Sequence, residues 1–206
     1  MSARDEERKA RAQEQPVVGG LPDVPGIVAA MRLSENLGLH LRGLADALLV
    51  EEFPGATLTR AERELIATAV SAGNDCFYCM DSHGAFASAL LRRENAPNVE
   101  ALVDSIKLGG SDGASPKLAA LLDVARTVRR NSREVSAEFV ARAKAEGATN
   151  ADTQLAVLIA SAFCMYNRMV DGLRAQTPPS AEAYRARAEE IAEHGYSSTS
   201  VKSLPR

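Results

Sequence analysis

Residues 74–83 read NDCFYCMDSH and contain two of the three cysteines and one of the three histidines of this 206-residue chain. Cys76, Cys79 and His83 give the spacing Cys-x-x-Cys-x-x-x-His. On a helix, which turns about 100° per residue, all three side chains share one face. Cys79 and His83 are four residues apart, so the thiol and the imidazole can touch. The pattern is typical of redox thiol chemistry with a base within reach of one sulfur.

A helix is expected to begin at the first cysteine and to run over about Cys76–Arg93. Asn74 or Asp75 can act as its N-cap, because a short polar side chain accepts hydrogen bonds from the free amides of a first turn. Gly73 suits the C′ position that ends a preceding helix. The helix N-terminus would favour a thiolate at Cys76.

Two structural readings compete with a redox site. Cysteine is a common core residue, so the spacing could be coincidental, although the histidine on the same face counts against this. A structural zinc ion needs four ligands arranged as a tetrahedron, whereas one helical face offers three in a row. The remaining cysteine, Cys164, is distant in sequence. We therefore expect no metal and no cofactor.

Composition sets limits on partners and location. The formal net charge of −3 comes without a basic block, so no nucleic-acid partner is expected. The charged N-terminus lacks the apolar core of a secretory signal. The most apolar run, 155–166, is too short to span a bilayer, so no membrane association is expected. A cytoplasmic location follows, and in that reducing compartment a Cys-x-x-Cys pair is more often catalytic or metal-binding than a structural disulfide.

The apolar periodicity predicts an all-α protein. Residues 25–195 are expected to form a single helical domain, between a flexible N-terminal arm (1–24) and a flexible tail (196–206). Thr59 and Glu62 form a capping box that starts a helix running to about Ala72. The longest and most apolar helix, 149–175, is expected to lie at the centre of the domain.

Glu64 is the fourth candidate site residue. It lies ten residues before Asn74, and His83 lies nine residues after it, so an antiparallel helical hairpin would bring carboxylate and imidazole together. A carboxylate beside a histidine fixes the ring tautomer and strengthens it as a base. Glu64, His83 and Cys79 would then have the logic of a nucleophile with a base that is oriented by an acid. On charge alone, Glu64 would instead be a solvated surface residue.

This signature resembles that of the AhpD-like alkylhydroperoxidases in the carboxymuconolactone decarboxylase superfamily, most closely the branch called peroxidase-related enzymes. It consists of Glu64, then the pair Cys76 and Cys79, then His83. The late segment 163–173 is also similar to that branch. The alkylhydroperoxidases proper have a histidine between the two cysteines, where this chain has Tyr78.

The resemblance implies an AhpD-like helical bundle that forms a homo-oligomer and reduces hydroperoxides. It implies that Cys79 is the peroxidatic cysteine and Cys76 the resolving one, with Glu64 and His83 as a proton relay. An unidentified dithiol or thioredoxin-like protein would supply electrons. Asn167, Arg168 and Asp171 would either line the pocket or form a buried polar cluster that ties helices together.

Two other functions stay open. A decarboxylase-type enzyme of the same fold would not need the cysteines, so their presence counts against it. A redox-sensing module would use the thiol pair to change its affinity for a partner. An enzyme consumes many equivalents of peroxide per subunit and a sensor only one, so turnover distinguishes the two.

Overall fold

The computed structural model describes residues 3–197, and that range folds into helices joined by turns, without a β-strand. The α-helices are α1 (Ala3–Ala12), α2 (Ile27–Arg32), α3 (Glu35–Leu49), α4 (Arg60–Gly73), α5 (Phe77–Arg93), α6 (Val99–Lys107), α7 (Pro116–Asn131), α8 (Ala137–Ala145), α9 (Asn150–Gly172) and α10 (Arg185–His194). Short 3-10 helices cover Ser132–Glu134 and Ala181–Tyr184. The predicted all-α fold class is confirmed.

Helix α4 lies at the centre of the fold, where it packs against α3, α5, α6, α7 and α9. Ala61 and residues 63–72 are all buried. The longest helix, α9, also packs against α2, α3, α4, α5, α7 and α8, but it is less enclosed than α4, because Leu158 and Arg168 are exposed. Alanine, serine and threonine dominate several faces of α4 and allow neighbouring helices to approach closely. Small size rather than apolar content therefore decides which helix is enclosed.

A buried carboxylate joins the start of α9 to the start of α4. Asp152 is 0% exposed and forms a capping box with Thr149, the N-cap of α9. Its carboxylate also accepts hydrogen bonds from the Thr57 amide (2.6 Å), the Thr57 hydroxyl (2.8 Å) and the Leu58 amide (3.0 Å). Thr59 follows directly and caps α4 in the capping box that the sequence predicted. Asp152 thus fixes the chain that enters the central helix.

The junction between α4 and α5 takes only three residues. Asp75 has a φ of 55°, in the left-handed region. The Asp75 amide donates to the Ala72 carbonyl (3.3 Å) and the Cys76 amide to the Ser71 carbonyl (3.1 Å). These two bonds form a Schellman motif, which satisfies the last carbonyls of a helix. Cys76 is therefore both the end of that motif and the N-cap of α5.

The sequence placed this junction correctly but misassigned its caps. Asn74 and Asp75 do not cap α5, and Asp75 rather than Gly73 occupies the left-handed C′ position. Aspartate tolerates this conformation because its short polar side chain can bond locally. The Asn74 amide group instead donates to Oδ1 of Asn167 on α9 (2.9 Å).

Both terminal segments contact the helical core. Nε of Arg8 in α1 donates to the buried carboxylate of Asp81 (2.7 Å). At the other end Tyr196 is only 9% exposed, although it lies just beyond the predicted boundary at residue 195. Residues 198–206 of the predicted tail lie outside the described residues, and the division into arm, domain and tail stays a prediction. In the described part, no helix has the length and apolar character needed to cross a membrane.

Candidate active site

Glu64 and His83 are in direct contact across the α4–α5 hairpin. Oε2 of Glu64 lies 2.6 Å from Nδ1 of His83. Glu64 is 1% exposed and His83 8%, so the pair is almost fully excluded from solvent. Counting residues on either side of the α4–α5 turn thus predicted this contact. The alternative of a solvated Glu64 is wrong, because α5 covers that face of α4.

The contact determines the protonation pattern of the imidazole. A buried carboxylate needs donors, and with Glu64 ionised the Nδ1 atom of His83 carries the donated hydrogen. The other ring nitrogen, Nε2, is then an acceptor in the neutral imidazole. Phe86 and Phe163 meet the ring edge-to-face, with centroids 5.2 and 4.5 Å away. These aromatic neighbours hold the ring in an apolar environment.

Tyr196 completes this group from the far end of the chain. Its hydroxyl donates to Oε1 of Glu64 (2.6 Å) and lies 3.3 Å from Nδ1 of His83. Its ring stacks on His83 at 24° between planes. Burial, followed by the Glu64 charge, raises the pKa of Tyr196 well above its ordinary value, so its hydroxyl stays a donor.

The two cysteines lie at the start of α5. Cys76 is 0% exposed and Cys79 2%, and both are free thiols. They pack in an apolar cluster with Val24 and Ala29 from the N-terminal segment and Val170 from α9. Both sulfurs are therefore covered by neighbouring apolar side chains.

The Cys76 thiol is held in its protonated form. A hydrogen bond with Cys79, followed by burial, raises the pKa of Cys76 well above its ordinary value. The charge of Asp171 acts in the same direction. Burial raises the pKa of Asp171 as well, and a hydrogen bond with Cys76 opposes that effect. The expected thiolate at Cys76 is therefore not supported, because Cys76 is the N-cap rather than a member of the first turn and lies beside a carboxylate.

No hydrogen bond joins the Cys79 thiol to His83 among the described residues. The two side chains lie one helical turn apart on α5, which leaves them as neighbours. The structure therefore contains the Glu64–His83 contact and the cysteine pair, and the link between them is the helical spacing.

Two tyrosines lie beside the cysteine pair. Tyr78 meets Tyr184 edge-to-face at 5.6 Å, and burial raises the pKa of both hydroxyls. The Tyr184 hydroxyl is buried without a hydrogen-bond partner. Gly26 has a φ of 58°, and a Cβ there would lie 2.2 Å from the Tyr78 ring. Glycine at this position lets the N-terminal segment close over the site.

The late-helix residues separate into different roles. Asn167 is 1% exposed, accepts from the Asn74 amide group and donates to Oγ of Ser71 (3.1 Å), so it ties α9 to the hairpin. Arg168 is exposed and donates to the Cys164 carbonyl of its own helix (2.8 Å). Of these three residues, Asp171 is the one that forms a hydrogen bond with the cysteine pair, at Cys76. The polar-cluster alternative therefore holds for Asn167.

Residues 3–197 contain no group of three or more His, Cys, Asp or Glu side chains that could hold a metal ion. Sequence reasoning missed Tyr196, which it assigned to the tail. The local sequence around Tyr196 carries no motif, and the hydroxyl meets His83 across 113 residues of chain. Only the fold brings the two together.

A family match and two solved structures relate the chain to known proteins. Residues 40–127 match the carboxymuconolactone decarboxylase family, a range that runs from α3 into α7 and includes all four predicted site residues. A comparison with curated proteins gives no match.

Two crystal structures share the fold. One is the alkylhydroperoxidase AhpD core of a peroxidase-related protein from Ralstonia eutropha JMP134, with a TM-score of 0.67 and 24% identity over 92% of this chain and 91% of that one. The other is a peroxidase-related protein from Silicibacter sp. TM1040, with a TM-score of 0.64 and 23% identity over 84% of this chain and 93% of that one. At these identities the likeness establishes the fold. The chain therefore has an AhpD-like fold, and its residues 40–127 match the carboxymuconolactone decarboxylase family.

Proposed function

We propose that this protein is a thiol-dependent peroxidase that reduces hydroperoxides through Cys79 and Cys76, with Glu64 and His83 as a proton relay. One observation carries the proposal. The buried Glu64 carboxylate lies 2.6 Å from Nδ1 of His83, one helical turn from Cys79. A nucleophile, a base and a group that orients the base form the arrangement that activates a weak nucleophile.

The first step is attack by Cys79. Nε2 of His83 takes the thiol proton while Nδ1 keeps its hydrogen bond to Glu64. The Cys79 thiolate attacks one oxygen of the hydroperoxide, the O–O bond breaks, and the sulfur becomes a sulfenic acid. The departing alkoxide receives the proton from His83 and leaves as an alcohol.

The second step joins the two cysteines. The Cys76 thiol condenses with the Cys79 sulfenic acid, which forms a disulfide and releases water. An external dithiol then reduces that disulfide and becomes a disulfide itself. The net reaction converts one hydroperoxide and one dithiol into one alcohol, one water and one disulfide. A thioredoxin-like protein or a small dithiol fits this requirement.

Two physical effects favour Cys79 as the attacking sulfur. Its neighbour one turn on is the histidine, and positioned proton transfer contributes about 10²–10⁴-fold in rate. The pKa of the Cys76 thiol is raised by its hydrogen bond with Cys79 and by burial, which suits a resolving thiol. The pull of a helix N-terminus, about 0.3–1 kcal/mol, is too small to reverse that order.

The proposal is tested by a multiple-turnover assay. Purified protein is mixed with cumene hydroperoxide or hydrogen peroxide and with either a small dithiol or a thioredoxin-like reductant. A peroxidase consumes many equivalents of hydroperoxide per subunit with at least one reductant. Consumption of a single equivalent with every reductant would contradict the proposal and favour a redox-sensing module. No consumption at all, with the thiols still titratable, would favour a decarboxylase-type enzyme.

We also propose that the protein acts without metal or cofactor, in the cytoplasm, as a homo-oligomer. Leu37 and Leu44 lie two turns apart on one stripe of α3 and are 39% and 38% exposed. Such a stripe is suited to a contact with a second copy. A monomer mass by light scattering at micromolar concentration would contradict the assembly.

A further inference from the structure

Tyr196 contacts both members of the buried Glu64–His83 pair, and its hydroxyl donates a hydrogen bond to Glu64. Its hydroxyl lies 2.6 Å from Oε1 of Glu64, while Nδ1 of His83 lies 2.6 Å from Oε2. Each oxygen of the carboxylate therefore has one donor. The tyrosine ring also stacks on the imidazole, so it contacts both members of the pair.

The chain that carries Tyr196 is anchored on two sides. The Tyr196 amide donates to Oδ1 of Asp46 (2.6 Å) and the Ser197 amide to Oδ2 (2.7 Å). Asp46 is itself 8% exposed, and its bond from the Tyr196 amide is buried. Gly195 has a φ of 74°, and a Cβ there would lie 2.9 Å from Oδ1 of Asp46. Glycine therefore allows the turn that directs Tyr196 inward.

A second anchor lies one turn earlier in the chain. Arg60, the first residue of α4, donates to the carbonyls of Ile191 and Ala192 at the end of α10, both at 2.9 Å. The helix that carries Glu64 thus holds the helix that delivers Tyr196. Together with Asp46, this arrangement fixes the hydroxyl against the carboxylate in the folded protein.

We propose that Tyr196 is a positioning residue of the proton relay: its hydroxyl holds the Glu64 carboxylate so that Oε2 faces Nδ1 of His83 and keeps the imidazole in one tautomer. The consequence for rate rests on the proposed peroxidase function. A glutamate side chain rotates about three bonds, and a single donor leaves the second oxygen free to turn. The Tyr196 hydroxyl removes that freedom and also draws negative charge from the carboxylate.

The test replaces Tyr196 with Phe, which keeps the ring and removes the hydroxyl. The rate of sulfenic acid formation on Cys79 is measured against pH in the Cys76→Ser background. Without the donor, Glu64 is more negative at Oε2 and stabilises the imidazolium, so the acid limb of the profile moves up by about half a pH unit. The plateau rate falls about tenfold, the value of one buried hydrogen bond.

Tyr166→Phe is the matched control. It also removes a buried tyrosine hydroxyl, one that donates to the Leu41 carbonyl (2.8 Å) and makes no bond to Glu64 or His83. The control should lose similar stability while its acid limb stays in place. A Tyr196→Phe limb that superimposes on the wild-type limb, whatever the plateau, would overturn the proposal.

A second readout needs no activity. Nuclear magnetic resonance follows the His83 imidazole through its titration, with the exposed His40 and His194 as internal references. The His83 midpoint should rise in Tyr196→Phe while the two reference midpoints stay unchanged, and an unmoved His83 midpoint would refute the positioning role. If the wild-type protein reduces no hydroperoxide, the peroxidase proposal is wrong, and the midpoint comparison still decides the role of Tyr196.

Discussion

Glu64 and Asp152 are both buried carboxylates, 1% and 0% exposed, but they differ in the groups that bind them. Within residues 3–197, the Glu64 carboxylate binds only side-chain donors, those of His83 and Tyr196. The Asp152 carboxylate accepts from three backbone amides, those of Thr57, Leu58 and Thr149, and from the Thr57 hydroxyl. The donors on Glu64 are side chains that can exchange protons, whereas the donors on Asp152 are mainly backbone amides, which cannot.

On the proposed function, this difference separates a reactive carboxylate, Glu64, from a structural one, Asp152. A buried charge is tolerated only when its oxygens have donors, and both sites meet that condition. Backbone amides cannot change their protonation, so Asp152 can only hold two helix starts in place. One of the two donors on Glu64 is an imidazole, a side chain that can exchange a proton. Burial alone would not have distinguished the two, whereas the chemistry of the donors does.

The largest effect on the reaction with hydroperoxide is expected from replacing Cys79, the sulfur that the proposed Glu64–His83 relay activates. Cys79→Ser should abolish both the fast single reaction with hydroperoxide and turnover, because the attacking atom is lost. Cys76→Ser should keep the single reaction and accumulate a sulfenic acid that a dimedone probe traps, but show no turnover. Stopped-flow measurement and mass spectrometry distinguish the two variants. The reverse pattern would assign attack to Cys76.

The next effect compares the two carboxylates directly. Glu64→Gln keeps the shape and removes the charge, so His83 loses its orienting partner and the first step should slow by about 10²-fold. Asp152→Asn is the control, and its first step per folded molecule should match wild type. Equal slowing in both variants would show that the rate depends on general integrity of the fold and not on the Glu64 relay.

The sequence was informative where the geometry is local. The contact between Glu64 and His83 follows from two helices of known pitch and a short turn, and counting residues from the turn is sufficient. The turn itself was misassigned at its caps, because glycine is the usual residue at a left-handed C′ position and Asp75 occupies it here. The choice between such residues depends on tertiary contacts, among them the bond between Asn74 and Asn167.

Long-range contacts were beyond the reach of sequence reasoning. Tyr196 and Asp46 meet across 150 residues, and neither belongs to a pattern that indicates the other. The central position of α4 was missed for a related reason. Apolar content pointed to α9, whereas enclosure depends on how closely neighbours approach, and the small residues on α4 show their effect only in the packed state.

Replacing Asp152 should lower the free energy of unfolding. Asp152→Asn retains one acceptor oxygen and places an NH₂ group against donors that need acceptors. Loss of charge-assisted bonds of this kind costs about 3 kcal/mol in the free energy of unfolding. Urea denaturation should show that loss, while Glu64→Gln, measured in parallel, should lose less because it breaks fewer bonds. A smaller loss in Asp152→Asn than in Glu64→Gln would contradict the assigned roles.

The smallest effect is the pH dependence that Asp152 gives to stability. Burial raises the pKa of Asp152, but hydrogen bonds from Thr149 and Thr57 outweigh burial and hold that pKa below its ordinary value. The unfolded carboxyl titrates near its ordinary pKa of about 3.9. Because the folded pKa is the lower one, the stabilisation is fully present above that value and is lost as the pH falls through the folded pKa.

The difference in unfolding free energy between wild type and Asp152→Asn should therefore be constant from pH 7 to pH 5 and should shrink below about pH 4. Urea denaturation at each pH measures it, and the subtraction cancels the titration of carboxyl groups common to both proteins. A difference that stayed constant down to pH 3 would mean that the Asp152 carboxylate is not what holds the starts of α4 and α9 together. The contrast with Glu64 would then rest on shape rather than on charge.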